Sequence, residues 1–118
     1  MKESPLFSKT YDLTKWLIEN TAKFPRNQRA VLAKRIEDAA LRFYEHILRA
    51  AKVASVRSES LEEANFELER LKLYLRLAAD LQFLSLRQYE FSTGMVVEIG
   101  RLLGGWMKKQ SVIDDKSH

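Results

Sequence analysis

Cysteine is absent from the 118 residues, so neither disulfides nor thiolate metal centres are available. Glycine and proline are scarce, at four and two. An all-β fold needs many more turn residues, which excludes the strand-rich classes. No apolar run approaches the ~20 residues required to cross a bilayer. The opening MKESPLFSKT has no apolar h-region of a secretory signal. The expectation is a soluble, cytoplasmic protein with no membrane role. Histidine occurs only at His46 and His118. No Glu-x-x-His pair exists, so a ferritin-like di-metal site lacks its ligands. There is no phosphate loop and no nucleophile motif. Glu59, Glu62, Glu63, Glu67 and Glu69 crowd the first turns of one helical segment, where they complement the helix dipole. The chain reads as a non-enzyme with no metal and no cofactor.

Leu, Ala, Glu, Arg and Lys fill the space left by the missing residue types, and they favour helices. Ile36, Ala40, Phe43, Ile47, Ala50 and Ala54 are spaced 4-3-4-3-4. Leu61, Ala64, Leu68, Leu71, Leu75 and Ala78 are spaced 3-4-3-4-3, and Val96, Ile99, Leu103 and Trp106 repeat the pattern. Such seams build antiparallel bundles. Tyr11, Leu13, Trp16, Leu17 and Ile18 mark a first helix from about Ser8 to Lys23. KFPRN at 23–27 ends it, because Pro25 cannot continue a helix and restricts Phe24. RSES at 57–60 separates helices two and three, and Ser60 with Glu63 has the form of a capping box. Ser85 with Gln88 has that form before helix four. The expected fold is all-α, an antiparallel up-down-up-down four-helix bundle. It is read as a single domain over 1–118, ordered from about 6 to 110, with 111–118 a polar, fraying tail.

Charge is uneven. Residues 25–57 hold eight Lys/Arg against three Asp/Glu, whereas 58–84 hold three against six. Arg35, Arg42 and Arg49 are seven apart and share one side of helix two, and Arg26, Arg29 and Lys34 extend the basic surface near its start. A basic stripe suits phosphates. The competing reading is a solvated face with i,i+4 pairs Asp38–Arg42 and Glu45–Arg49. The same helix carries a second apolar stripe, Leu41, Tyr44, Leu48 and Ala51, beside its core seam. Two stripes exceed what one bundle covers, which points to contacts between subunits.

GRLLGGWMKK at 100–109 poses its own question, since each glycine inside a helix costs about 1 kcal/mol relative to alanine. Gly100 and Gly104 lie on one face. Three explanations stand. They make room for a bulky neighbour while Trp106 fills the bundle end; Gly104 or Gly105 is a C-cap; or the pair allows close approach between subunits.

KFPRNQRAVLAKRIEDAAL at 23–41, followed by RQYEFSTGMVVEIGRLLGGWMK at 87–108, resembles the Avd-like four-helix-bundle family, the accessory variability determinants of diversity-generating retroelements. The F-P-R-x-Q-R turn and the E-I-G-R-L-L-G-G-W end are its specific parts. A related family of bundles, encoded by intervening sequences in bacterial 23S rRNA genes, is the nearest to confuse with it, and the glycine–tryptophan end leans to the Avd-like side. The resemblance implies a homopentameric accessory protein. It would bind a reverse transcriptase and, without sequence preference, RNA and DNA, in support of mutagenic reverse transcription of a template RNA. The residues that would contact nucleic acid are then Arg26, Arg29, Lys34, Arg35, Arg42 and Arg49, and the subunit interface would hold Leu41, Tyr44, Leu48, Gly100 and Gly104. The alternative is a structural homo-oligomeric or protein-binding bundle of the intervening-sequence type with no nucleic-acid role.

Overall fold

A computed structural model describes residues 4–116. Four long helices dominate it: α1 (Pro5–Thr21), α3 (Lys34–Lys52), α4 (Arg57–Asp80) and α5 (Leu86–Lys116). A short α2 (Arg26–Gln28) and a wide π-helical turn (Arg29–Ala33) lead into α3. No strand occurs among the described residues. The four long helices form the expected all-α bundle. Each packs on two neighbours, in the order α1–α3–α4–α5 and back to α1.

The seams are the core. Ile36, Ala40, Phe43, Ile47 and Ala50 of α3 are buried, with all six seam residues of α4 and Val96, Ile99 and Leu103 of α5. Leu6, Leu13 and Leu17 complete it from α1. Buried hydroxyls in α1 satisfy themselves locally: Thr10 donates to the Leu6 carbonyl and Thr14 to that of Thr10, both at 2.7 Å.

Several boundaries move. Helix one starts earlier than Ser8 because Pro5 sits at the first helical position, where its missing N–H costs nothing. Ala54 drops out of its seam and is exposed, because α3 ends at Lys52 and Val53 turns extended. The break between α3 and α4 is a 3₁₀ turn at Ala54–Val56 rather than RSES. Arg57 opens α4 and caps α3 instead, its Nε donating to the Ala50 carbonyl at 2.6 Å. The Ser60–Glu63 capping box therefore does not form; Ser60 lies inside α4 and is buried. Ser85–Gln88 does form: the Ser85 N–H donates to Gln88 Oε1 at 2.9 Å and the Gln88 N–H to Ser85 Oγ at 3.1 Å.

α4 closes without glycine. Gln82 takes φ 63°, the Phe83 N–H reaches the Ala78 carbonyl at 2.8 Å, and the Gln82 N–H reaches that of Ala79 at 3.0 Å. This is a Schellman closure. It swings the Phe83 ring to 5.6 Å from Phe24, which the Pro25 turn buries beneath the same end of the bundle.

α5 runs on through Lys116, past the Gln110 at which a polar tail was expected. Its extension lies against the start of α4, where the Ser58 hydroxyl donates to Asp114. At about 1.5 Å per residue, the 31 residues of α5 outreach the 17 of α1 by roughly 20 Å.

Candidate nucleic-acid interface

Arg26, Arg29, Lys34, Arg35, Arg42 and Arg49 are all exposed. They do not form one surface. Arg26 and Arg29 stay on the entry turns ahead of α3. Lys34, Arg35 and Arg42 turn toward α4 and line a groove of about 410 Å³ with Ala30, Val31, Asp38 and Arg70. Farther along the same side, His46 Nδ1 lies 3.1 Å from Glu63 of α4. Arg49 sits beyond His46, in a depression shared with Glu45, Leu48 and Lys52.

The competing intrahelical pairs are not made. Asp38 faces Lys34 at 3.7 Å, and neither Asp38–Arg42 nor Glu45–Arg49 is an ion pair among the described residues. The three stripe arginines thus carry no ion pair among the described residues, and Arg35 instead reaches the Tyr74 hydroxyl of α4.

Arg70 is the groove residue that the sequence reading missed. It lies in the acidic helix, where net charge hides it. Its neighbours three residues before and four after, Glu67 and Tyr74, were the available signal. Arg70 Nη1 donates to both Glu67 oxygens, at 3.1 and 3.3 Å, and Nη2 donates to the Tyr74 hydroxyl at 3.2 Å. The hydrogen bond to Tyr74, opposed by desolvation and aided by Glu67, holds the Arg70 guanidinium above the usual arginine value. The hydrogen bond from Arg70 likewise holds the Tyr74 phenol below its usual value, against its own desolvation and with help from Arg35 across the groove.

The opposite flank of α3 is apolar. Glu37, Leu41, Tyr44, Leu48 and Ala51 follow one another at helical spacing. Glu37 accepts a 2.6 Å hydrogen bond from Thr21 of α1, and Ala51 shares a hollow with Phe7 of α1, so this flank borders α1. Leu41 and Leu48 are 40% and 48% exposed, and Tyr44 is half-buried. α4 adds an unforeseen outer row of Phe66, Leu73 and Leu77, which its C-cap residue Leu81 extends.

The glycines separate. A Cβ on Gly100 would meet Leu68 Cδ2 of α4 at 3.5 Å, so this glycine belongs to helix packing within the bundle. Gly104 is exposed, and a Cβ there would meet nothing within 4 Å. At 3.5 Å, an ordinary contact distance, a methyl would still fit at Gly100, so Leu68 borders Gly100 without requiring a glycine, and Gly104 has no such neighbour at all. The C-cap explanation fails, because neither Gly104 nor Gly105 has positive φ and the helix continues. Trp106 is half-buried with its ring 6.4 Å from that of Phe7, in a hollow shared with Ala51 at the end of α3 and Arg57 at the start of α4, so it lies at this end of the bundle. His46 flanks the α3 seam, half-buried and facing Glu63; His118 lies outside the described residues.

No helix among the described residues is long and apolar enough to cross a membrane. No group of His, Asp and Glu among them has metal-binding geometry. No curated protein matches the chain. A crystal structure of a protein of unknown function, from the S23 ribosomal protein family of Bacteroides thetaiotaomicron VPI-5482, superposes with a TM-score of 0.80. The match covers 87% of this chain and 95% of that one at 19% identity, which shows the shared fold alone. The profile of a family described as bAvd-like matches residues 6–110, from the first core leucine of α1 to the turn after Trp106. The chain belongs to the bAvd-like family of four-helix bundles.

Proposed function

We propose that this bundle is a non-enzymatic accessory protein of a diversity-generating retroelement. In this reading it assembles as a homo-oligomer, a pentamer by family resemblance, in the cytoplasm. It binds a reverse transcriptase and holds template RNA or its cDNA by backbone charge. The observation that carries the nucleic-acid part is the stripe of Arg35, Arg42 and Arg49, exposed on one side of α3 with no carboxylate among the described residues in an ion pair with any of them. A subunit of net charge +4 attracts nucleic acid weakly. Copies joined through the Leu41–Leu48 flank would sum their fields and gain avidity.

The test is an Arg35/Arg42/Arg49→Gln triple variant that keeps fold and assembly, titrated with labelled single-stranded RNA at two salt concentrations. The expected result is a large loss of affinity and a shallower salt dependence. Full binding by the variant would reject the stripe. Absence of binding by the wild type would leave the purely structural or protein-binding bundle. A reverse transcriptase gene beside this one, with a template and variable repeat, would support the retroelement assignment. Co-purification of the two proteins would support the partnership.

A further inference from the structure

We infer that the groove between α3 and α4 is a seat for a single phosphate group, with Arg70 as its oriented anchor and Lys34, Arg35 and Arg42 closing on it from the facing helix. This deepens the nucleic-acid reading and rests on it only for the source of the phosphate.

Four observations converge. The first is orientation. Glu67, only 6% exposed, grips Nη1 of Arg70, and the Tyr74 hydroxyl takes Nη2. A guanidinium held from behind loses little side-chain entropy when it captures a ligand. The second is spare capacity. Those contacts leave the Arg70 Nε–H and one Nη2 N–H without an acceptor among the described residues. The third is charge. Four cations line the groove against one lining carboxylate, Asp38, which Lys34 already faces. The fourth is shape. Cations on a convex helix meet a phosphate from one side, whereas here Arg35 and Arg42 oppose Arg70 across a concave surface of about 410 Å³. Planar guanidiniums from two directions suit a tetrahedral oxyanion. Tyr74 links the walls, since it accepts from Arg70 and feels Arg35.

A phosphate group could arrive in a nucleic-acid backbone or as a free phosphate or nucleotide. The experiment separates them. Arginine Nε–H and tyrosine ring resonances are followed by NMR while the full chain is titrated with inorganic phosphate, then with single-stranded RNA. RNA affinity is measured for Arg70→Gln, Arg70→Lys and Tyr74→Phe. Arg101→Gln is the control, an exposed arginine on α5 outside the groove.

Both ligands should shift the Arg70 Nε–H and the Tyr74 ring. Arg70→Gln should weaken RNA binding about tenfold, as loss of one charge-assisted hydrogen-bonding group does, and reduce the salt slope by about one. Arg70→Lys keeps the charge and a partner for Glu67 but loses the fork, so it should weaken binding while preserving the fold. Arg101→Gln should bind as the wild type. Unchanged RNA affinity in a folded Arg70→Lys and Arg70→Gln, or no response of Arg70 to either ligand, overturns the seat and leaves the stripe proposal standing. A response to inorganic phosphate without RNA binding keeps the seat and rejects the nucleic-acid function.

Discussion

The two flanks of α3 begin from the same seam and end in opposite chemistry. Toward α4 the helix shows Arg35, Arg42 and His46, and there the neighbouring helix answers with oriented polar groups: Arg70 in the groove and Glu63 beside His46. Toward α1 it shows Leu41, Tyr44 and Leu48, and the neighbour leaves the two leucines largely uncovered. The difference lies in the partner helices. α4 meets the basic flank with long polar side chains, whereas α1 borders the other flank at Glu37, through Thr21, and at Ala51, beside Phe7, and leaves Leu41 and Leu48 between them exposed. One flank thus meets polar partners across a groove, and the other presents two exposed leucines.

The sharpest contrast lies between adjacent residues. Ile47 is fully buried and Leu48 is 48% exposed. Ile47→Ala should destabilise by about 2–5 kcal/mol, the cost of emptying a packed core site. Leu48→Ala should cost well under 1 kcal/mol in an isolated subunit. Denaturant unfolding of both variants checks this; equal losses would mean that Leu48 is covered, as in a stable oligomer. Leu48→Glu then tests the covering directly. It should dissociate the assembly in native mass spectrometry while leaving helicity intact. A wild-type monomer at micromolar concentration would remove the subunit interface altogether.

The basic flank should respond in binding and hardly in stability. Arg42 makes no ion pair among the described residues, so Arg42→Gln should change stability by less than about 0.5 kcal/mol at low salt. A larger loss would reveal an energetic role for the Asp38–Arg42 pairing that the structure does not contain. At the far end of α4, Gln82→Gly should stabilise by about 1 kcal/mol, because an L-residue pays for the left-handed conformation that glycine adopts freely. That gain should be the same with and without Leu48→Glu, since the turn borders neither flank.

The bundle was legible because its seams are periodic and almost wholly apolar. A heptad-like spacing over α3 and α4 leaves one face that can be core. The failures share a physical origin. Ser60–Glu63 matches the capping pattern, but Leu61 and Ala64 continue the seam through it, and burial overrides a local signal worth about 1 kcal/mol. The Schellman turn at Gln82 and the extended Val53 carry no glycine or proline to announce them. The groove was half visible. Arg35 and Arg42 follow from spacing within one helix, whereas Arg70 joins them only through the packing of α3 on α4, which single-helix periodicity does not encode. Gly100 and Gly104 looked equivalent on a helical wheel, and Leu68 touches only the first.

That inequality supplies the smallest and most discriminating effect. Gly104 has open space at its missing Cβ within the subunit, so Gly104→Ala gains helix propensity without a clash. In the Leu48→Glu background, where subunits are separated, it should stabilise by about 0.5–1 kcal/mol. In the assembled protein the outcome depends on what lies over α5. If a second subunit approaches Gly104 closely, the added methyl meets it, and the gain is cancelled or reversed by overpacking of about 1–3 kcal/mol. We expect cancellation, because the sequence keeps a glycine where alanine would fit the lone subunit better. Thermal unfolding of the four proteins, wild type and Leu48→Glu each with and without Gly104→Ala, reads the difference as a double-mutant cycle. Equal gains in both backgrounds would place Gly104 on open surface and confine any subunit contact to the leucine flank of α3.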